Sequence, residues 1–199
     1  MANFFDNIIT QGVRAGQIPA RTSEAREWYR GRAGEFRRVD ERKLISSDKQ
    51  RLTTKIKPGS MYLYYYDPKW KEELPFYDRF PLVFPFRIEG DRFWGLNLHY
   101  IPLPLRAKLM DALYDLANNS RYDEKTRLVL SYRLLESSSK FKGFVPCVKQ
   151  YLFSHVKSQF MYIYPSEWDI AIFAPLERFE KATKAQVWAE SKKIINRGA

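Results

Sequence analysis

The chain has 199 residues with 34 Lys and Arg against 23 Asp and Glu, which gives a net charge of +11. Apolar residues make up 45% and aromatic residues 16%, so the composition permits a buried core and excludes a chain that is disordered throughout. No stretch reaches the roughly 18 apolar residues of a membrane span, and the single cysteine excludes an intrachain disulfide.

The N-terminal quarter of the chain is the most basic part. Residues 1–57 hold 13 Lys and Arg against 7 Asp and Glu, a net charge of +6. Residues 23–44 favour a helix that Gly31 and Gly34 weaken. We therefore expect a basic, partly helical N-terminal arm over 1–57 and a single domain over 58–199.

Six cations of this arm are candidate contacts to a polyanion such as DNA, because basic side chains neutralise phosphates without reading sequence. Acidic residues are interleaved with them, so a surface of ion pairs between neighbouring helical turns remains the alternative. The six candidates are Arg26, Arg30, Arg37, Arg38, Arg42 and Lys43.

A sheet is predicted from residue 61 onward. MYLYYY (61–66) alternates with period two, which places Tyr62, Tyr64 and Tyr66 on one face. Residues 82–88 and 93–100 flank the turn Glu89-Gly90-Asp91 and predict a hairpin. We expect a small antiparallel, barrel-like (SH3-like) sheet, with the tyrosine stripe either stacking on bases or packing in a core or subunit interface.

Helices are predicted after the hairpin, so the predicted fold class is α+β. Apolar spacing favours a helix from Pro104, and Asp123 is a candidate cap for a second helix ending near Ser137. We expect a third helix from Pro146 and a last helix from Thr183 to about Asn196. FMYIY (160–164) and DIAIF (169–173) are predicted to be strands.

A second basic stretch follows the second helix. No acidic residue occurs between Glu136 and Glu167, and the flexible segment SSSKFKGF contains two of the lysines there. Lysines on such a segment favour sequence-independent phosphate contacts, although a solvated loop explains them equally well. The candidate contacts are Lys140, Lys142 and Lys149.

No catalytic, metal-binding or cofactor-binding motif is found. His99, His155 and Cys147 are interpreted as structural, because no cluster of His or Cys has ligand spacing. One enzymatic alternative remains, a metal-dependent nuclease, because Asp67-Pro68-Lys69 has the Asp-x-Lys pattern that follows a strand in such enzymes.

A long aromatic string in the middle of the chain resembles a known family. The string GSMYLYYYDPKWKEELPFYDRFPLVFPFRIEGDRFWGLNLHYIP, followed by RAKLMDALYDL and PCVKQYLFSHVKSQFMYIYPSEWDIAIFAP, resembles the DNA end protectors of T4-like tailed bacteriophages over residues 58–190. The resemblance rests on aromatic, proline and glycine positions and transfers no catalytic or DNA-contacting residue.

The resemblance implies a non-enzymatic virion protein that caps the end of packaged double-stranded DNA near the portal or neck and shields it from exonucleases. It also implies partners among other virion proteins and assembly in the host cytoplasm, which fits the lone thiol. The alternative within the same class is a neck or tail baseplate protein that makes only protein contacts.

Overall fold

A computed structural model describes residues 4–19, 22–117 and 120–197, which fold into a mixed α+β structure. Three helices precede the first strand, and the other four follow the fifth strand. They are α1 (Phe4–Arg14), α2 (Ser23–Gly34), α3 (Glu41–Ser47), α4 (Leu103–Ala117), α5 (Glu124–Ser138), α6 (Trp168–Phe173) and α7 (Lys184–Arg197).

The main sheet is antiparallel and has the strand order β1-β7-β2-β4-β5-β6, while β3 and β8 form a separate pair. The strands are β1 (Leu52–Thr53), β2 (Met61–Leu63), β3 (Tyr77–Asp78), β4 (Leu82–Glu89), β5 (Arg92–Asn97), β6 (Val148–Leu152), β7 (Phe160–Ile163) and β8 (Phe179–Glu180).

The sheet is open and does not close into the predicted barrel. Its ends are β1, which pairs only with β7, and β6, which pairs only with β5. Closure would require hydrogen bonds between these two end strands. The predicted α+β class and the antiparallel pairing are confirmed, whereas the barrel closure is wrong.

Both faces of the sheet are covered, and the predicted alternation decides which side chain lies on which face. Tyr62, Tyr64 and Tyr66 belong to one hydrophobic cluster, while Met61 and Leu63 belong to the other. The hairpin divides in the same way. Its Leu96, Leu98 and Tyr100 pack in the larger cluster with Leu109 and Leu113 of α4.

The basic arm predicted at residues 1–57 is not confirmed. Phe5 and Ile8 of α1 and Tyr29 of α2 are fully buried in the same cluster as the sheet, and α2 packs against α6. The helices of this segment therefore share the core of the protein, and the division of the chain at residue 57 stays a prediction.

Two helix caps predicted from the sequence are observed. The carboxylate of Asp123 accepts a hydrogen bond of 2.7 Å from the backbone N–H of Thr126 at the start of α5. Thr183 accepts one of 3.3 Å from the backbone N–H of Gln186 at the start of α7. Short polar side chains satisfy the free N–H groups of a first turn in this way.

Two predicted elements have the wrong secondary structure. The helix predicted from Pro146 is a 3-10 turn (Lys142–Cys147) followed by β6, which extends the sheet beside β5. The strand predicted at 169–173 lies within α6. Short apolar runs fit both periodicities, so tertiary pairing decides between them.

No helix among the described residues combines the length and the apolar character needed to cross a membrane.

The hairpin contains a close backbone approach that generates a stability prediction. A Cβ atom at Gly95 would lie 2.2 Å from Val83 Cγ1 and 2.9 Å from the Phe84 carbonyl oxygen. We expect Gly95→Ala to lower the free energy of unfolding by about 2 kcal/mol or more, because overpacking displaces the β4–β5 pair. Equilibrium denaturant unfolding measures this change.

The matched control is Gly31→Ala on the exposed side of α2, where a Cβ meets no atom within 4 Å. This change should raise the free energy of unfolding by up to about 1 kcal/mol, because alanine restricts the unfolded chain. Equal effects of the two substitutions would contradict the close approach at Gly95.

Candidate nucleic-acid interface

Four of the predicted phosphate contacts lie together in residues 37–43, which we call the basic segment. This segment joins α2 to α3 and includes the first turn of α3, and all four side chains are exposed. Two of them, Arg38 and Lys43, border the same shallow pocket of about 330 Å³. The four cations are Arg37, Arg38, Arg42 and Lys43.

The two acids interleaved with these cations do not form ion pairs with them. Asp40 is the N-cap of α3 and accepts a hydrogen bond of 3.0 Å from the backbone N–H of Lys43. Glu41 is buried and forms an ion pair of 2.7 Å with Arg178. The alternative of ion pairs between neighbouring turns therefore does not describe these two acids.

The other two predicted contacts of the N-terminal region are engaged inside the protein. Arg26 is buried, and its guanidinium forms an ion pair of 2.8 Å with Asp111 on α4. Arg30 contacts Asp111 at 2.7 Å and Asp169 on α6 at 2.6 Å. These three helices are thus joined by charge, and both guanidiniums are turned away from bulk solvent.

The second predicted group divides between the surface and a cleft. Lys140 and Lys142 are exposed on either side of Phe141, whose side chain is 70% exposed. Lys149 lies on β6 and is half-buried, with its ammonium 4.1 Å from the centroid of the Tyr100 ring. Burial lowers the pKa of Lys149 from its ordinary value.

Lys149 lines a cleft of about 600 Å³ that we call the aromatic cleft. It lies between the loop that follows residue 66 and the strands β5 and β6. Two further cations, Lys69 and Arg92, also line it. Its aromatic lining is drawn from the loop, β3, β6 and the end of the hairpin: Tyr66, Trp70, Phe76, Tyr77, Tyr100 and Tyr151.

A buried hydrogen-bond network holds the inner wall of the aromatic cleft. The Asp78 carboxyl group contacts His99 Nδ1 at 2.7 Å and accepts from Asn97 Nδ2 at 3.1 Å. Asn97 also donates to the Tyr151 hydroxyl at 3.0 Å, which fixes that ring. The carboxyl group of Asp78, which lines the cleft, is therefore hydrogen-bonded to groups inside the protein.

The candidates for chemistry have structural contacts. The Asp67 carboxylate accepts a hydrogen bond of 3.1 Å from Lys71, and His155 bonds the Asp67 backbone carbonyl. Cys147 is buried, which raises the pKa of its thiol to about 12, and the thiol donates to the Phe144 carbonyl. Within the described ranges, no three His, Cys, Asp or Glu side chains are grouped to hold a metal ion.

The aromatic cleft is not predictable from local sequence patterns, because its rings come from several segments. One local signal was present. Trp70 lies in a polar loop broken by prolines, and its side chain is 57% exposed. A large aromatic side chain exposed in such a loop is available to contact a ligand.

The buried ammonium of Lys149 generates a prediction about stability. Because burial lowers its pKa, the charged form costs folding free energy at neutral pH. That cost declines as the pH rises through the folded-state pKa and vanishes above the ordinary value of 10.5. We expect Lys149→Met to unfold thermally at the same or a higher temperature at pH 7, whereas a lower temperature would show that a partner stabilises the ammonium.

Comparison with known proteins gives one match. The family described as Phage T4 terminal DNA protecting protein matches residues 37–196, which include the basic segment and every residue of the aromatic cleft. Arg26 and Arg30 precede the matched range. No curated protein and no solved structure matches the chain. Since the match covers most of the sequence, the chain belongs to the phage T4 terminal DNA protecting protein family.

Proposed function

We propose that this protein binds the ends of linear double-stranded DNA and protects them, without catalysing a reaction. The observation that supports this most directly is the basic segment. Its four cations are exposed, its two acids are occupied by a helix cap and a buried ion pair, and it lies within the range matched by the family.

The physical mechanism is neutralisation of backbone phosphates. Each arginine or lysine that contacts a phosphate releases a condensed counterion, which favours binding at low salt regardless of base sequence. The guanidinium of Arg42 lies 5.2 Å from the Tyr65 ring centroid, a contact that restricts its motion while the side chain stays exposed. Lys140 and Lys142 provide a second exposed site for the same kind of contact.

Arg26 and Arg30 are left out of the proposed DNA surface. Contact with a phosphate would require the two arginines to break their ion pairs with Asp111 and Asp169. Leaving a partly buried carboxylate without its partner lowers the stability of the fold. Their contribution to DNA binding is therefore indirect, through the packing of α2 on α4 and α6.

The biological setting that we propose is the virion. There the protein caps the end of the packaged genome near the portal or neck, contacts other virion proteins, and shields the DNA from exonucleases. Assembly takes place in the host cytoplasm, a reducing compartment in which the buried Cys147 stays a thiol.

Removal of the four exposed charges tests the basic segment. A variant with Arg37, Arg38, Arg42 and Lys43 all changed to Gln should bind linear duplex more weakly. Its plot of log affinity against log salt should become less steep, by up to about 3.6, because each lost phosphate contact removes about 0.9 from the magnitude of the slope. Filter binding or fluorescence anisotropy over a salt series measures both quantities.

The matched control removes four exposed cations from α4, α5 and α7, namely Lys108, Lys125, Arg133 and Lys192, by the same change to Gln. It has the same net charge, so long-range attraction falls equally, but its slope should stay close to that of the unchanged protein. An affinity of the unchanged protein that is independent of salt would reject phosphate binding and favour a role in protein contacts only.

Protection itself is tested with an exonuclease that degrades linear duplex from its ends. We expect the protein to slow degradation in proportion to occupancy of the ends, and the variant of the basic segment to protect less at equal concentration. In the same buffer with Mg²⁺ and no exonuclease, the DNA should remain intact. Cleavage that is lost on Asp67→Ala and Lys69→Ala would instead establish the nuclease alternative.

A further inference from the structure

Binding to phosphates alone does not distinguish the end of a duplex from its interior. Phosphates repeat along the whole length of DNA, and the basic segment meets the same charges at every position. A protein that protects ends therefore requires a second contact to something that only an end offers. The least costly such feature is the terminal nucleotide, which unpairs and unstacks more readily than any interior one.

The aromatic cleft has the size and the rings to receive one unpaired nucleotide. Its volume of about 600 Å³ lies within the range of pockets that enclose small ligands. Trp70 presents a side chain that is 57% exposed, with the Lys69 ammonium 5.0 Å from its ring centroid. Aromatic side chains exposed in this way stack on bases of any sequence, because every base has a π face.

The cation in the cleft lacks an anionic partner. Lys149 is partly withdrawn from water, and its ammonium lies over the face of Tyr100. No ion pair or hydrogen bond joins it to another of the described residues. An ammonium in this position gains a favourable partner when an anion enters the cleft. A nucleotide phosphate is an anion that arrives together with a base.

A second cation at the rim supports the same ligand class. Arg92 lines the cleft and forms an ion pair of 2.9 Å with Asp91, and both side chains are substantially exposed. Exposed pairs of this kind contribute little to stability, so the guanidinium is free to exchange its carboxylate for a phosphate. Asp78, the buried acid of the wall, accepts hydrogen bonds from internal donors, which fix its position.

We propose that the aromatic cleft binds the terminal nucleotide of one DNA strand, with its base stacked on Trp70 and its phosphate contacted by Lys149. This assignment rests on the proposed function, because it supplies the end-specific contact which the basic segment lacks. Arg92 assists from the rim. The network of Asp78, Asn97 and Tyr151 positions the inner wall and does not touch the nucleotide.

Photochemical crosslinking tests the contact directly. A short duplex carries 5-iodouracil either at a terminal position, on the 5′ or the 3′ strand end, or at an interior position. Stacked aromatic rings react with this base on irradiation. We expect crosslinks from a terminal probe to map by mass spectrometry to Trp70 or a neighbouring ring of the cleft, and crosslinks from the interior probe not to do so.

Substitutions establish whether the cleft gives preference for ends. Trp70→Ala should lower the affinity for linear duplex about tenfold, the loss of one stacked base, and leave the affinity for the same DNA in circular form unchanged. Trp70→Phe should restore most of the preference. The control is Phe141→Ala, a ring outside the cleft that is more exposed than Trp70, which should leave the ratio of linear to circular affinity unchanged.

Lys149→Gln tests the phosphate contact without removing the rings. It should reduce both the terminal crosslink and the ratio of linear to circular affinity, while the thermal unfolding temperature stays at or above that of the unchanged protein. A normal ratio in both Trp70→Ala and Lys149→Gln would overturn the assignment of the cleft.

The experiments distinguish a wrong assignment of the cleft from a wrong proposal of DNA binding. If linear duplex binds with strong salt dependence but terminal probes do not crosslink to the cleft, this assignment is wrong and the proposed function stands. If duplex does not bind at all, the proposed function is wrong, and a single-stranded oligonucleotide with 5-iodouracil then decides the cleft. If the oligonucleotide crosslinks to the cleft and Trp70→Ala abolishes the crosslink, the cleft is a nucleotide site. If no crosslink to the cleft forms, the cleft is not a nucleotide site.

Discussion

The buried carboxyl group of Asp78 is the interaction on which the rest of this structure depends. It lies on β3, is 3% exposed, and receives hydrogen bonds from the side chains of His99 and Asn97. It also accepts from the backbone N–H groups of Phe80 and Arg178. A carboxyl group in the interior is tolerated only when such donors satisfy it, so the segments that supply them must keep their positions.

The same four donors connect the parts of the chain that build the aromatic cleft. Asn97 ends β5, His99 follows in a 3-10 turn, and Arg178 precedes β8. Fully buried Arg106 reinforces this region by donating to the backbone carbonyls of Ile101, Ile172 and His99, although burial lowers its pKa to about 10. These buried hydrogen bonds thus make the inner wall of the aromatic cleft rigid.

Local sequence patterns predicted the faces of the sheet but not its closure. Alternation in 61–66 predicts the observed division between two clusters, because both faces are buried and a slip by one residue would exchange them. The insertion of β7 between β1 and β2 was not predictable, since it joins segments about 100 residues apart. The apolar spacing in 148–156 fitted a helix, yet the free edge of β5 selects a strand there.

The sequence likewise shows which residues are basic but not which of them form ion pairs inside the protein. Arg30 and Arg37 have similar neighbours in the sequence, but among the described residues only Arg30 forms ion pairs with acids. These acids lie 81 and 139 positions away in the chain. No local pattern reports such partners. The aromatic cleft is not predictable for the same reason, because its rings are brought together by the long-range pairing of β3 with β8 and of β5 with β6.

The position of Lys149 on an end strand has a consequence for the behaviour of the protein at high concentration. The outer side of β6 offers backbone groups to which a strand of another molecule can add, although the N–H of Leu152 is already bonded to the Tyr66 hydroxyl. A lysine on such a strand opposes edge-to-edge aggregation. The charge that costs folding energy and attracts a nucleotide therefore also helps to keep separate molecules from joining their sheets when many copies are crowded together.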